Sequence, residues 1–255
     1  MAEYGLAALY AMFVWWFTTG AILFLDGLPK RTFPWSMLAA TGLALLALIG
    51  LDRSCESATV TGAYCAFTCA ILIWGWIEVA FLLGFVTGPR TSASPPGSSE
   101  WQRFVHAVAA IAYHELAIVM AAGVIVVLTD GAPNQVGLWT FMILWVMRLS
   151  AKLNLFLGVR NLGEELLPER MRYLRSFFLK RSMNLLFPVS VTAATILAAI
   201  LWKESLAPTA NAFDSAGLAL AATLLSLAIL EHWFMVLPLP TTALWSWGLR
   251  SRTAR

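Results

Sequence analysis

The chain has 255 residues, of which 60% are hydrophobic and 12% are charged, and its net charge is +3 at pH 7. A soluble domain of this length cannot hide so much apolar surface from water, so the composition excludes a soluble globular protein. Several apolar runs reach the roughly 20 residues that a helix needs to cross a bilayer, and none alternates like the strands of an outer-membrane barrel. We therefore expect an all-α fold, a polytopic transmembrane helical bundle that forms a single integral membrane domain over residues 1–255.

The apolar pattern predicts seven membrane spans. In chain order they cover residues 4–25, 33–51, 58–86, 105–128, 136–159, 185–202 and 213–237. The segments between them are rich in Asp, Gly, Pro and Ser, which favour turns and end helices. The first span has no basic segment before it and is long enough to cross by itself, so we interpret it as a retained helix and not a signal peptide.

Basic residues are distributed unevenly between the two sides of this predicted bundle. Thirteen fall on one side, namely Lys30, Arg31, Arg90, Arg103, Arg160, Arg170, Arg172, Arg175, Lys180, Arg181, Arg250, Arg252 and Arg255, while the other side has two, Arg53 and Lys203. Cytoplasmic loops of membrane proteins carry the excess of Lys and Arg. The pattern therefore predicts a periplasmic N-terminus and a cytoplasmic C-terminus.

The connection between spans five and six is predicted to contain a basic interfacial helix on the cytoplasmic side. Met171, Leu174 and Phe178 recur there at helical spacing among basic residues, a pattern typical of a helix lying along a membrane surface. Contact with the lipid bilayer or with a partner protein is assigned to Arg160, Arg170, Arg172, Arg175, Lys180 and Arg181.

Polar residues inside the spans are predicted to form one buried layer near the cytoplasmic side. Its members are Glu78, His114, Glu115, Arg148, Lys152, Asn154, Glu231 and His232. A charge at this depth is costly and usually has a partner within the bundle. Arg148 and Lys152 lie on one helix face and would repel each other without carboxylates between them. One interpretation is therefore an ion-pair network that fixes helix packing.

Two other interpretations of the layer remain open. Glu78, His114, Glu115, Glu231 and His232 have the ligand types of an iron or manganese site, although their adjacent Glu and His pairs differ from the Glu-x-x-His spacing of carboxylate-bridged bundles. Alternatively, a single neutral histidine ligates the central metal of a tetrapyrrole, and the candidates are His114, His232 and His106.

Motifs for other chemistry are absent from the sequence. It contains no Gly-rich phosphate loop and no GxSxG, HExxH or CxxC pattern, so these residues give an enzyme no direct support. We expect no nucleic-acid partner.

Several short motifs resemble the PuhE family of photosynthetic complex assembly proteins. They are Tyr113-His114-Glu115-Leu116, Lys152-Leu153-Asn154-Leu155-Phe156-Leu157-Gly158-Val159, Asn161, Leu167-Pro168, Tyr173-Leu174, Met183-Asn184, Phe187-Pro188 and Glu231-His232-Trp233-Phe234. The resemblance covers nearly the whole chain in span order.

The resemblance implies a multi-pass protein of the bacterial inner, or intracytoplasmic, membrane in an anoxygenic phototroph. It further implies assistance in assembling the photosynthetic reaction centre with its core antenna, and hence contact with their subunits or with other assembly factors. In that role we expect the protein either to chaperone subunit helices or to hold bacteriochlorophyll or a precursor for transfer. The residues of these motifs that are polar and also lie inside the predicted spans are His114, Glu115, Lys152, Asn154, Glu231 and His232. The alternative is a membrane enzyme of tetrapyrrole metabolism that uses the buried Glu and His residues, with or without iron.

A reporter fused after Arg255 tests the predicted orientation. Because the C-terminus is predicted to face the cytoplasm, a fused fluorescent protein is expected to fluoresce and a fused alkaline phosphatase to stay inactive. Phosphatase activity at this position would reverse the predicted topology.

Overall fold

The computed structural model describes residues 2–253, so Arg255, one of the predicted cytoplasmic cations, lies outside the described residues. Seven helices are long and apolar enough to cross a membrane. They are α1 (Ala2–Gly27), α2 (Phe33–Cys55), α3 (Val60–Leu82), α4 (Glu100–Thr129), α5 (Val136–Leu157), α6 (Leu186–Ser205) and α7 (Ala212–Phe234), and a short α8 (Ser246–Thr253) follows. The prediction of an all-α, seven-span bundle is confirmed.

Helices α3 and α7 form the centre of the bundle. In α3, 72% of the apolar span is buried, and in α7 61%, against 22% or less in the other five spans. Helix α3 packs against α1, α2, α4, α5 and α7. Small residues permit this close packing: Ala63, Ala66 and Ala70 of α3 and Ala219 of α7 are fully buried. The centre is thus fixed by helix-to-helix fit, and the other spans present large apolar side chains outward.

One end of the bundle, here called the basic end, gathers the last turns of α1, α3, α5 and α7 and the first turns of α4 and α6. Arg170 donates to the carbonyl oxygens of Asp26 at 2.7 Å and Leu83 at 3.2 Å, and thereby joins the ends of α1 and α3. Arg103 of α4 donates to the Phe177 carbonyl at 2.8 Å. The connection between α5 and α6 therefore lies on this end.

The opposite end is closed by uncharged groups. Asn134, just before α5, donates to the carbonyl oxygens of Ser54 at 2.8 Å and Ser57 at 3.3 Å. The Ser205 hydroxyl at the end of α6 donates to the Ser215 carbonyl at 2.9 Å. These side chains thereby join the end of α2 to the segment before α5, and the end of α6 to the start of α7.

Two predicted span boundaries at the basic end differ from those observed by four residues or more. Helix α3 ends at Leu82, because Gly84 has a φ of +84° and closes the helix with a Schellman motif, in which Phe85 N–H donates to Ala80 O at 2.8 Å. Helix α4 begins at Glu100, where Ser99 and Gln102 form a capping box. Glu78 therefore lies only four residues from the end of its helix.

The amphipathic part of the connection is a 3₁₀ helix, Glu169–Phe177. Because a 3₁₀ helix has three residues per turn, Met171, Leu174 and Phe177 share one face, and Phe178, predicted to join them, is only half-buried. This apolar face packs on Phe81 and other residues of α3 and α4. It is therefore covered by protein, and its placement at the membrane surface stays a prediction.

A buried ion pair attaches α8 to the rest of the bundle. Asp26, at the end of α1, is 3% exposed, and both of its carboxylate oxygens accept hydrogen bonds from Arg252 at 2.8 Å. Arg252 also donates to the carbonyl oxygens of Glu165 and Leu166, each at 2.8 Å. A single guanidinium thus joins α1, α8 and the connection.

The substitution Arg252→Gln tests this attachment. It leaves the Asp26 carboxylate buried without a cation, so we expect a loss of roughly 3 kcal/mol of stability and a lower melting temperature in detergent. The double variant Asp26→Asn/Arg252→Gln is expected to recover part of the loss because it removes the buried charge. Arg53→Gln, at an exposed cation on the opposite end, is the control; equal melting of Arg252→Gln and this control would contradict the role of the pair.

Candidate functional site

The predicted polar layer contains a charged cluster contributed by α3, α4 and α5. Arg148 Nη2 lies 3.2 Å from Glu78 Oε2, and Glu78 Oε1 lies 4.0 Å from His114 Nε2. Glu78 is 5% exposed and His114 fully buried, with the Phe81 ring centred 4.3 Å from the imidazole. The Arg148 side chain is 45% exposed, so the ion pair joins a buried carboxylate to a partly exposed cation.

Three atoms of this cluster have no hydrogen-bond partner among the described residues. They are Glu78 Oε1 and the two ring nitrogens of His114, all buried. Buried polar atoms without a partner are uncommon and costly. Within the layer, Glu78 Oε1 and the His114 imidazole are therefore the groups that remain able to accept or donate a hydrogen bond or to exchange a proton.

A second ion pair joins α4 and α5. Lys152 Nζ lies 2.5 Å from Glu115 Oε1, and each side chain is about one quarter exposed. Arg148 and Lys152 lie one turn apart on α5, and each has its own carboxylate partner. Glu78 of α3 pairs with Arg148, and Glu115 of α4 pairs with Lys152. This arrangement places opposite charges beside the two like charges and reduces their repulsion.

Glu231 and His232 lie in α7 but have different kinds of partner. The Trp15 indole N–H donates to Glu231 Oε1 at 2.7 Å, so α1 supplies a hydrogen bond there and not a cation. His232 Nδ1–H donates to the Ala228 carbonyl at 2.9 Å, and consequently its Nε2 accepts from the Ser150 hydroxyl, also at 2.9 Å. Both nitrogens of His232 are thus occupied.

Asn154 extends the layer toward the basic end through a second asparagine. Asn184 Nδ2 donates to Asn154 Oδ1 at 3.0 Å and to the Gly158 carbonyl at 2.9 Å. Asn184 Oδ1 accepts from the backbone N–H groups of Leu186 at 2.9 Å and Phe187 at 3.1 Å. One side chain therefore caps the start of α6 and binds the end of α5.

The five predicted metal ligands are not brought to one point. Glu78 faces Arg148 and His114, Glu115 faces Lys152, and Glu231 and His232 bind Trp15 and Ser150. Within residues 2–253, no three His, Cys, Asp or Glu side chains form a group that could hold a metal ion. The structure as described therefore gives the iron or manganese hypothesis no ligand set.

The three histidines also differ in what they offer a tetrapyrrole. His232 has no free nitrogen, and His106 lies outside the layer, with its Nδ1 3.1 Å from the Ser94 hydroxyl of the preceding loop. His114 has free nitrogens but is completely enclosed. An axial bond from His114 would require α4 to separate from α3, so neither His114 nor His232 fits a tetrapyrrole in this arrangement.

The six predicted surface cations fall into two groups. Arg170 stacks 4.1 Å from the Phe33 ring and binds backbone carbonyls, Arg172 pairs with Glu169 at 3.3 Å, and Arg175 pairs with Glu164. Arg160, Lys180 and Arg181 are exposed and form no ion pair within the part of the chain that the structure describes. Only this second group has charge available for an external partner.

A family model described as "Protein of unknown function (DUF3623)" matches residues 1–255. The chain belongs to this family. It is 41% identical over 250 residues to the "Uncharacterized 30.4 kDa protein in puhA 5'region" of Rhodobacter capsulatus, an alignment that covers 96% of this chain and 91% of the relative. No solved structure shows significant similarity.

Three residues that contact the polar layer of this DUF3623 protein were not predicted, namely Trp15, Ser150 and Asn184. A tryptophan or a serine in a span gives no signal of its own, because aromatic belts and small packing residues are common in membrane helices. Asn184 had a readable signal, since an asparagine just before an apolar run is a typical helix cap.

The substitution Arg148→Gln tests the cluster around Glu78. It leaves a carboxylate that is 5% exposed without its cation, and we expect a loss of roughly 3 kcal/mol of stability in detergent. Glu231→Gln should cost less, about 1 kcal/mol, because only the bond from Trp15 weakens. The matched control is Arg172→Gln, at an exposed pair. If Arg148→Gln has the same melting temperature as the control, the ion-pair interpretation is contradicted.

Proposed function

We propose that this chain is an assembly factor for bacterial photosynthetic complexes, located in the inner membrane, that assists subunits of the reaction centre and core antenna. The observation that carries the proposal is the relative at 41% identity, which aligns over nearly the full length of both chains and is named for the puhA 5' region. Such a location indicates a photosynthesis gene cluster. The resemblance of the sequence motifs to photosynthetic assembly proteins supports the same process.

The geometry of the layer supports a structural role for it over a catalytic one. Glu115 and Lys152 neutralise each other, Arg148 neutralises Glu78, and His232 is held by two hydrogen bonds. A group engaged in this way must break its pair before it can act on a substrate. We therefore assign the layer to holding α3, α4, α5 and α7 in one arrangement, and the contact with partner subunits to the outer faces.

One observation favours a second candidate, a membrane enzyme of tetrapyrrole metabolism. His114 keeps both ring nitrogens free beside an unpartnered oxygen of Glu78, 4.0 Å away. An imidazole and a carboxylate at this separation can each reach one reacting group, so one can donate a proton to it and the other can accept one. In this hypothesis His114 and Glu78 are the acid and base, and α4 moves to admit the substrate.

Deletion of the gene in its phototrophic host distinguishes the two candidates. The assembly role predicts that the cells still make bacteriochlorophyll but that their membranes show weaker near-infrared bands of the reaction centre and core antenna. Loss of the pigment itself would favour the enzyme. Normal pigment together with normal complexes would contradict both. Complementation with the wild-type gene is the control for effects on neighbouring genes.

A further inference from the structure

Three cations surround a depression on the basic end of the bundle. Arg160, Lys180 and Arg181, together with Ser182 and Val236, line a surface depression of about 520 Å³. All three cations are exposed, and within residues 2–253 none has a carboxylate partner in an ion pair. Like charges gathered without counter-charges raise the local potential and attract an anion.

The backbone fixes the positions of these cations. Val159 and Lys180 form a parallel bridge, in which Val159 N–H donates to Leu179 O and Arg181 N–H donates to Val159 O, both at 3.1 Å. Arg160 therefore lies next to Lys180 and Arg181 although it is distant in sequence. Asn161 N–H donates to the Met235 carbonyl at 2.8 Å, which ties the same segment to the end of α7.

Gly158 directs the Arg181 side chain. It has a φ of +114°, which other residues rarely adopt, and a Cβ added there would lie 2.8 Å from the Cγ and Cδ atoms of Arg181. The stem of Arg181 thus lies across the glycine backbone at the end of α5. The stem of the Arg181 side chain is accordingly positioned without a ligand.

Exposed apolar side chains are close in sequence to the residues of the depression: Leu185 comes four residues after Arg181, and Trp233 comes three residues before Val236. Leu185 is 89% exposed and Val189 63% exposed, at the start of α6, and Trp233 is 39% exposed in the last turn of α7. Val189 and Trp233 belong to candidate membrane spans, and Leu185 directly precedes one, so we expect hydrocarbon beside them. A cationic depression near the ends of two such spans, with exposed apolar side chains at the ends of those spans, has the two parts needed to hold a phospholipid. A free phosphate would use only the first part.

The geometry points to a phospholipid site, in which Arg160, Lys180 and Arg181 bind the phosphodiester headgroup of an anionic lipid and its acyl chains lie against Leu185 and Val189. Each basic side chain near an anionic headgroup increases affinity roughly five-fold. The site goes beyond the proposed function and does not depend on it. It accounts for the unpaired cations, whereas the neighbouring Arg170, Arg172 and Arg175 are engaged within the protein.

Lipid binding to the purified full-length chain in zwitterionic detergent tests the site. Native mass spectrometry with added phosphatidylglycerol or phosphatidylcholine gives the apparent affinity for each. We expect phosphatidylglycerol to bind at least ten-fold more tightly, and the variant Arg160→Gln/Lys180→Gln/Arg181→Gln to lose roughly 100-fold of that affinity. The control Arg53→Gln/Arg172→Gln/Lys203→Gln removes three cations elsewhere and should stay within about three-fold of wild type.

The remaining outcomes are equally informative. Equal affinity of the two triple variants for phosphatidylglycerol would overturn the site, as would equal binding of the two lipids by the wild type. If 10 mM inorganic phosphate displaces the bound phosphatidylglycerol, the site takes a free anion and the lipid assignment is wrong. If the first triple variant does not fold, Arg181→Gln alone replaces it, with an expected loss of roughly five-fold.

Discussion

The whole bundle depends on how charges are neutralised inside a membrane. Arg148 and Lys152 lie one turn apart on α5, within a span, and would be costly there without partners. Glu78 from α3 and Glu115 from α4 provide those partners at 3.2 and 2.5 Å. Because the two carboxylates come from different helices, neutralising α5 requires both neighbours to be in place. The charge requirement therefore specifies which helices meet and at what height, and close packing of small residues on α3 and α7 completes the arrangement.

The same principle operates at the basic end, with different consequences for each cation. Arg170 and Arg252 bind carbonyls or carboxylates and hold the connection and α8 to the spans, and Arg175 pairs with Glu164 within the connection. Arg160, Lys180 and Arg181 remain uncommitted in a depression near the start of α6 and the end of α7. Some cations of this basic cluster thus hold the bundle together, and others remain available for contact with an external partner. For an assembly factor, this separation means that lipids or partners can bind and leave without loosening the bundle.

The sequence was sufficient for the seven spans, because apolar runs of membrane length leave few alternatives to helices. It also placed the opposite charges of the layer at matching depth, since helical rise converts residue counts into height. It could not pair them, because pairing depends on the rotation of each helix about its own axis. Glu231 shows this: its depth suits a cation on α5, yet its partner is Trp15. The 3₁₀ geometry of residues 169–177 was likewise hidden, since Met171, Leu174 and either Phe177 or Phe178 fit a helical pattern.

We infer that the charged layer holds helices together and does not perform chemistry. The most direct test is the charge-swapped variant Glu115→Lys/Lys152→Glu, which keeps an ion pair between α4 and α5 but exchanges its members. Complementation of a deletion strain, measured by the near-infrared bands of its membranes, is expected to approach the wild-type level, whereas Glu115→Lys alone should fail because two cations then face each other. A swapped protein that accumulates normally in the membrane but restores no complexes would contradict the account, since it would show that the layer needs a particular acid at position 115.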